Sequence, residues 1–169
     1  MAQFFGKYRG SVLDNADPLQ IGRLMVQVAD VSNVLPSTWA MPCLPFGGMQ
    51  AGLFAVPAIG SGVWVEFEQG DPDYPVWVGC FWGSSAEVPS MALAAPPSLQ
   101  QVVLQTTGQN TLMISDVPGP TGGILLQSST GALISITDTG ITLDNGQGAT
   151  IVMGPGSTVT LNEGALEVV

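Results

Sequence analysis

The last third of the chain alternates apolar and polar positions in short runs, on a near-fixed interval. The pairs Thr121-Gly122, Thr130-Gly131 and Thr139-Gly140 fall nine residues apart. Each opens a segment: Ile124-Leu125-Leu126, Leu133-Ile134-Ser135-Ile136 and Ile141-Thr142-Leu143. Three more follow at Thr150-Ile151-Val152-Met153, Val159-Thr160-Leu161 and Leu166-Glu167-Val168. Period-two alternation over four or five residues predicts half-buried strands. Gly and Asn at the breaks (Asn145-Gly146, Gly154, Gly156, Asn162, Gly164) predict corners with positive φ. So even a strand-and-corner repeat points to a β-solenoid or β-prism rather than a meander packed on the rest of the chain. Wound as a single-chain solenoid, the stretch would make only about two coils, few for a repeat architecture. Three chains, each supplying one side of a triangular prism, use the same units better, which predicts a homotrimer with closed threefold symmetry.

The first half shows no helical apolar period. Strands are predicted from Tyr8, over Ile21–Val28, over Val63–Glu68 and over Tyr74–Trp82, with a turn cluster at Asp14–Pro18. Ser32–Phe46, with three prolines, reads as irregular, and Gly47-Gly48 as a turn. About five short strands with long Pro-rich connections fit a small Greek-key barrel of the OB type over residues 1–82. Residues 83–101, rich in Ser, Ala and Pro, read as a linker. Val102–Gln105 and Thr111–Ile114 then read as the first strands of the second part, which runs over residues 102–169. The fold class is all-β: an N-terminal OB-fold barrel followed by a triple-stranded β-helix built by a homotrimer.

Composition narrows the function. Charged residues make up 9% of the chain, against about 25% in ordinary soluble domains. A surface so poor in charge is expected to be hidden in an assembly. No stretch approaches the roughly 20 apolar residues of a membrane-spanning helix, and the N-terminus lacks the charged-then-apolar order of a signal peptide, so synthesis in the bacterial cytoplasm is expected. The net charge is −10, and all three basic residues (Lys7, Arg9, Arg23) precede residue 24. Nucleic acid and anionic membrane surfaces are therefore poor partners. Cys43 and Cys80 are expected to be buried free thiols, since nothing points to an oxidising compartment.

Candidate chemistry is thin. Glu66 and Glu68 share a predicted strand face and resemble a glycosidase carboxylate pair, but no apolar pocket is evident to raise one pKa, and a solvated face is the better reading. Asp71 and Asp73 flank Pro72 without an EF-hand ligand ladder, which favours a turn over calcium. Gly60-Ser61-Gly62 precedes no helix and is not a phosphate loop. The chain has no His, so Ser–His and Cys–His catalysis are excluded. Trp64, Trp77, Trp82 and Tyr74 could stack bases or sugars; core or interface packing is favoured. No catalytic, metal or cofactor-binding residue is expected.

The motifs then have a familiar order. Ile21-Gly22-Arg23-Leu24-Met25-Val26 is followed by Trp39-Ala40-Met41-Pro42 and by Gly60–Asp71. Next come Tyr74-Pro75-Val76-Trp77-Val78-Gly79 and Thr106–Asp116. Together with the repeat, this order resembles the central spike protein of contractile phage tails (baseplate assembly protein V). It is similar also to the barrel and needle of type VI secretion valine-glycine repeat proteins and to spikes of phage-like extracellular injection particles. The resemblance implies a non-enzymatic trimeric spike, its barrels seated on a baseplate hub and its needle meeting the target membrane only on piercing. Lys7, Arg9 and Arg23, the only cations, are the expected hub contacts. Without His, the iron-binding tip of some members is absent, and residues 83–101 leave no room for their lysozyme domain. The apolar end Leu166-Glu167-Val168-Val169 implies a PAAR-type tip protein, with Leu166, Val168 and Val169 as its contacts. Two other readings remain: an OB-type glycan- or protein-binding module on a repetitive stalk, and a polysaccharide-degrading tail spike.

Overall fold

The computed structural model describes residues 2–162 and 165–168, with Glu167 and Val168 described by backbone. The chain divides into two compact units, Met1–Glu87 and Val88–Val169.

The first unit is a closed barrel of five strands. β1 (Tyr8–Asp14), β2 (Leu24–Gln27), β3 (Pro36–Pro42), β6 (Gly62–Phe67) and β7 (Pro75–Phe81) close in the order β1-β2-β3-β7-β6. Between β3 and β6 lie β4 (Gly47–Gly48) and β5 (Ala51–Gly52), which form a small sheet of their own. A one-turn helix, α1 (Ala29–Ser32), follows β2. Alternation builds the core directly: Leu24 and Val26 point inward, as do Val63, Val65 and Phe67. These pack with Val12, Val28, Ala40 and Trp77 in one buried cluster. Trp77 donates from its indole N–H to the Gly22 carbonyl at 3.0 Å, so this buried ring keeps its polar atom satisfied. Phe4, Tyr8 and Phe67 stack with ring centroids 5.6 to 6.1 Å apart, and the Phe4 N–H donates to Gly70 O at 2.8 Å.

The loop between β1 and β2 is organised by Asp17, which is 8% exposed. Its carboxylate accepts from the backbone N–H groups of Leu19, Ile21 and Arg23 and, at 2.6 Å, from the Arg23 guanidinium. The Arg23 guanidinium, with the three N–H groups behind it, holds the Asp17 carboxyl well below the usual carboxylate range despite its burial. In the unfolded chain this group titrates near 3.8. Its stabilisation is therefore fully present above that value and is lost as pH falls toward the folded-state value. Barrel melting followed from neutral pH downward should fall off below about pH 4. Asp17→Asn should melt lower at neutral pH and lose that part of the acid dependence.

The barrel departs from the sequence expectation in four places. Ser32–Phe46 is not irregular: it contains β3, which pairs with β2 and, in parallel, with β7. Its prolines sit at the strand's two ends, where a missing N–H is tolerated. Gly47-Gly48 is a strand of the β4–β5 ladder, and the turn lies at Met49-Gln50. Glu68 lies beyond the end of β6, in the 3₁₀ turn Glu68–Gly70, so it shares no strand face with Glu66. Cys43 and Cys80 are free, as expected, but exposed rather than buried. Cys43 falls just past β3, and Cys80 falls beyond the β6–β7 bulge where Trp64 pairs with Gly79 and Val65 with Trp77. Neither reaches the buried cluster.

The second unit starts with a short helix, α2 (Ser90–Ala94), and continues as eight strands: β8 (Gln101–Gln105), β9 (Thr111–Ser115), β10 (Gly123–Gln127), β11 (Leu133–Thr137), β12 (Gly140–Asp144), β13 (Thr150–Met153), β14 (Val159–Leu161) and β15 (Leu166–Val168). They form one antiparallel sheet in strict chain order. Four of its corners span five residues and close with the same backbone bond: Thr106 N–H to Asn110 O, Ser128 N–H to Ala132 O, Asn145 N–H to Ala149 O and Gly154 N–H to Thr158 O, at 2.8 to 3.2 Å. This is the repeat seen in the sequence, one strand and one corner per unit. No helix among the described residues is long and apolar enough to cross a membrane.

Candidate functional site

Strand register places every other residue of the sheet on one face. Reading across β8 to β14, one column runs Val102, Ile114, Ile124, Ile136, Ile141, Met153, Val159. The neighbouring column runs Leu104, Leu112, Leu126, Ile134, Leu143, Ile151, Leu161. In β15, Leu166 continues the second column opposite Leu161, and Val168 pairs with Val159. Every one of these positions is aliphatic. The opposite face is mixed: Gln101, Gln105, Thr111, Ser115, Gln127, Ser135, Thr142, Asp144, Thr150 and Thr160 share it with Val103, Met113, Leu125, Leu133 and Val152.

The aliphatic face is left open in the single chain: Val102, Leu104, Ile114, Ile124, Leu126, Ile134, Ile136, Ile151, Met153 and Leu166 are all exposed. A continuous apolar surface of this size marks an interaction site. The opposite face is partly covered instead. There α2 lies against β8, and Gln101 donates from its side-chain amide to Met91 O at 3.1 Å.

Both edges of the sheet are stapled corner to corner. Along one edge, Asn110 Oδ1 accepts from Ser129 N–H at 3.1 Å and Asn162 Oδ1 accepts from Thr150 N–H at 3.0 Å. Along the other, Asp138 Oδ2 accepts from Gly119 N–H at 3.0 Å. Gly123, at φ +75°, fits there against the Ile136 carbonyl, where a Cβ would overlap the oxygen. Such contacts fix register from unit to unit, so the two aliphatic columns stay aligned.

The residues singled out in sequence lie as follows. Lys7 is exposed and donates to Glu66 at 2.9 Å, so Glu66 belongs to a surface ion pair. Arg9 is exposed on β1, with its guanidinium carbon 5.5 Å from the centre of the Trp64 ring and 5.2 Å from that of Phe81. Arg23 is taken up inside its own barrel by Asp17 and lies over Trp39, its side chain only 17% exposed. Leu166 is exposed on β15, and Val169 lies outside the described residues. Asp71 Oδ1 accepts from Asp73 N–H at 3.0 Å, the side-chain turn expected of this pair. Trp77 is core, while Trp82 and Tyr74 are exposed. No group of three or more His, Cys, Asp or Glu side chains among the described residues could hold a metal ion.

Comparison with known families joins these observations. Residues 8–82 match the type VI secretion system/phage-baseplate injector OB domain, and residues 101–167 match the phage baseplate V C-terminal trimerisation domain. The chain belongs to the phage-baseplate V family. It is 34% identical over 89 residues to the type VI secretion system spike protein VgrG5 of Pseudomonas aeruginosa, a match covering 49% of this chain and 11% of that protein. The chain thus spans about a tenth of the length of that relative. The trimerisation match falls on the sheet with the open aliphatic face, and it supports a homotrimer.

The aliphatic columns are the feature that sequence reading missed. The alternation was visible, but only the strand register shows that every position on this face is aliphatic and that the two columns run across the whole sheet.

Proposed function

We propose that this chain is the central piercing spike of a contractile injection particle, the piece that joins the end of the tube to the tip. The observation that carries the reading is the unbroken aliphatic face of an eight-stranded sheet of strictly sequential strands. Three such faces turned toward a common axis make a dry prism interior with no polar side chain to hydrate, and the opposite faces, which carry all of the sheet's Gln, Ser and Thr pairs, are turned outward. In that reading the sheet is the needle and the barrel is the seat. The barrel docks on a baseplate hub, for which Lys7 and Arg9 are the exposed cations. Arg23, held by Asp17, contributes by fixing the loop that leads into β2. A PAAR-type tip protein is received at the C-terminal residues Leu166, Val168 and Val169. Sheath contraction drives the assembly, and the membrane is met only during passage. No step of this work is catalytic.

Light scattering after size exclusion, run over a range of concentrations and repeated in urea, tests the reading. A mass of three chains that persists on dilution and resists urea is expected, because breaking the assembly exposes the whole aliphatic face in each chain. A monomer at all concentrations would remove the prism and leave the barrel as a binding module on a stalk.

A further inference from the structure

The stretch from Val31 to Val65 contains no charged residue, in a chain of net charge −10. Within it, every residue from Cys43 to Ala55 is exposed. This segment holds β4 and β5, which pair only with each other among the described residues. It presents Leu44, Phe46, Met49, Leu53 and Phe54 to solvent, Met49 at 96% and Phe54 at 70% exposure. Met49 sits at the turn of the hairpin, next to Gln50 at φ +56°. Leaving a large apolar side chain in water forgoes the free energy of its burial. Five in one protruding hairpin make a surface built to be covered.

Charge says what covers it. After Arg23 the chain carries only acidic charges, so two copies meeting through most of their surfaces would bring like charges together. The longest part of the barrel that another copy can approach without repulsion is this uncharged stretch. A hub met through Lys7 and Arg9 pairs with charges that lie outside this stretch, and the uncharged hairpin offers it none. The trimerisation domain also ties three barrels to one assembly, so a neighbouring barrel is present at millimolar effective concentration and a modest contact suffices. A contact from the hairpin of one copy to the barrel of the next is heterologous, and threefold symmetry closes it into a ring.

We propose that the β4–β5 hairpin of each protomer packs on the barrel of a neighbouring copy, so that the barrels are clasped to one another as well as joined through their sheets. The inference rests on the trimeric reading above and adds a second contact to it.

Met49 provides the probe. The purified chain, with no other protein present, is treated with dilute hydrogen peroxide, and conversion of Met49 to the sulfoxide is followed by mass spectrometry. A synthetic peptide of residues 43–55 gives the rate for an uncovered hairpin. In the wild-type trimer Met49 should oxidise ~10-fold more slowly than in the peptide. In a trimer-breaking variant, Ile136→Asp, whose substitution lies in the other unit, the rate should return to that of the peptide. Protection that persists in that monomer would place the cover within one chain and overturn the proposal. Oxidation at the peptide rate in a wild-type trimer would overturn the clasp alone and leave the trimer standing. A wild-type monomer in solution would overturn both. Phe46→Ser combined with Phe54→Ser gives a further check: a trimer that survives the pair of substitutions but loses Met49 protection supports the clasp, and one that keeps full protection refutes it.

Discussion

Ile136→Asp should abolish the trimer. Ile136 stands mid-column on the aliphatic face, paired with Ile124 on one side and Ile141 on the other. In a threefold assembly the substitution occurs three times at one level. Each copy loses the burial of an aliphatic side chain, about 1.5 to 3 kcal/mol. Each also places a carboxylate in a dry interior beside two others, where neither water nor a cation can reach it. That second effect is the larger, because an unpaired buried charge costs several kcal/mol even after relaxation. The measured mass should fall from three chains to one, or to irregular aggregates of sheets with bare faces. Thr142→Asp, in the next strand but on the opposite face, is the control: the same charge should leave the trimer intact. If Ile136→Asp stays a trimer, the aliphatic face is not the interface.

The second large effect is expected at a corner. Gly123 and Gly148 both have positive φ, +75° and +99°. A Cβ at Gly148 meets nothing within 4 Å, whereas one at Gly123 overlaps the Ile136 carbonyl. Gly148→Ala should therefore cost only the backbone strain, about 1 to 2 kcal/mol per chain. Gly123→Ala adds a clash with backbone that cannot swing away, since the Ile136 carbonyl belongs to the adjoining strand. It should force the β10–β11 edge apart and cost well above the backbone strain alone, three times over in the trimer. Urea unfolding of both variants decides: Gly148→Ala should shift the midpoint modestly, and Gly123→Ala should lower it far more or prevent assembly. Equal shifts would mean that strain at positive φ, not the close approach of strands, is what these glycines relieve.

How much of this was legible beforehand varied with the type of signal. The second unit was read well because its local signals agree: alternation marks the strands, and Gly or Asn marks the corners. The barrel strands β2, β6 and β7 were visible for the same reason. β3 was not, because Pro36-Ser37-Thr38-Trp39-Ala40-Met41-Pro42 shows no apolar alternation. Its place is set by neighbours on both sides, which no local pattern reports. The two cysteines sit among apolar residues in sequence, yet the barrel core stops short of them. The role of Arg23 was hidden too: sequence shows it as one of three cations, and only the fold brings the Asp17 carboxylate to it. The hairpin was read as a glycine turn because a ladder of two pairs is too short to leave a pattern.

The sequential order of the sheet also sets how it responds to force. Each strand is joined only to the strands before and after it in the chain, so a pull across the strands loads the ladders in series. A series of links yields at its weakest member. Here that is the C-terminal end, where β13 and β14, and β14 and β15, each share three residue pairs, against five between β9 and β10. A push across the strands stretches no ladder at all and presses the stapled corners onto one another. The unit is therefore stiff when driven and can unzip from β15 when drawn back, a directional response that needs no moving part.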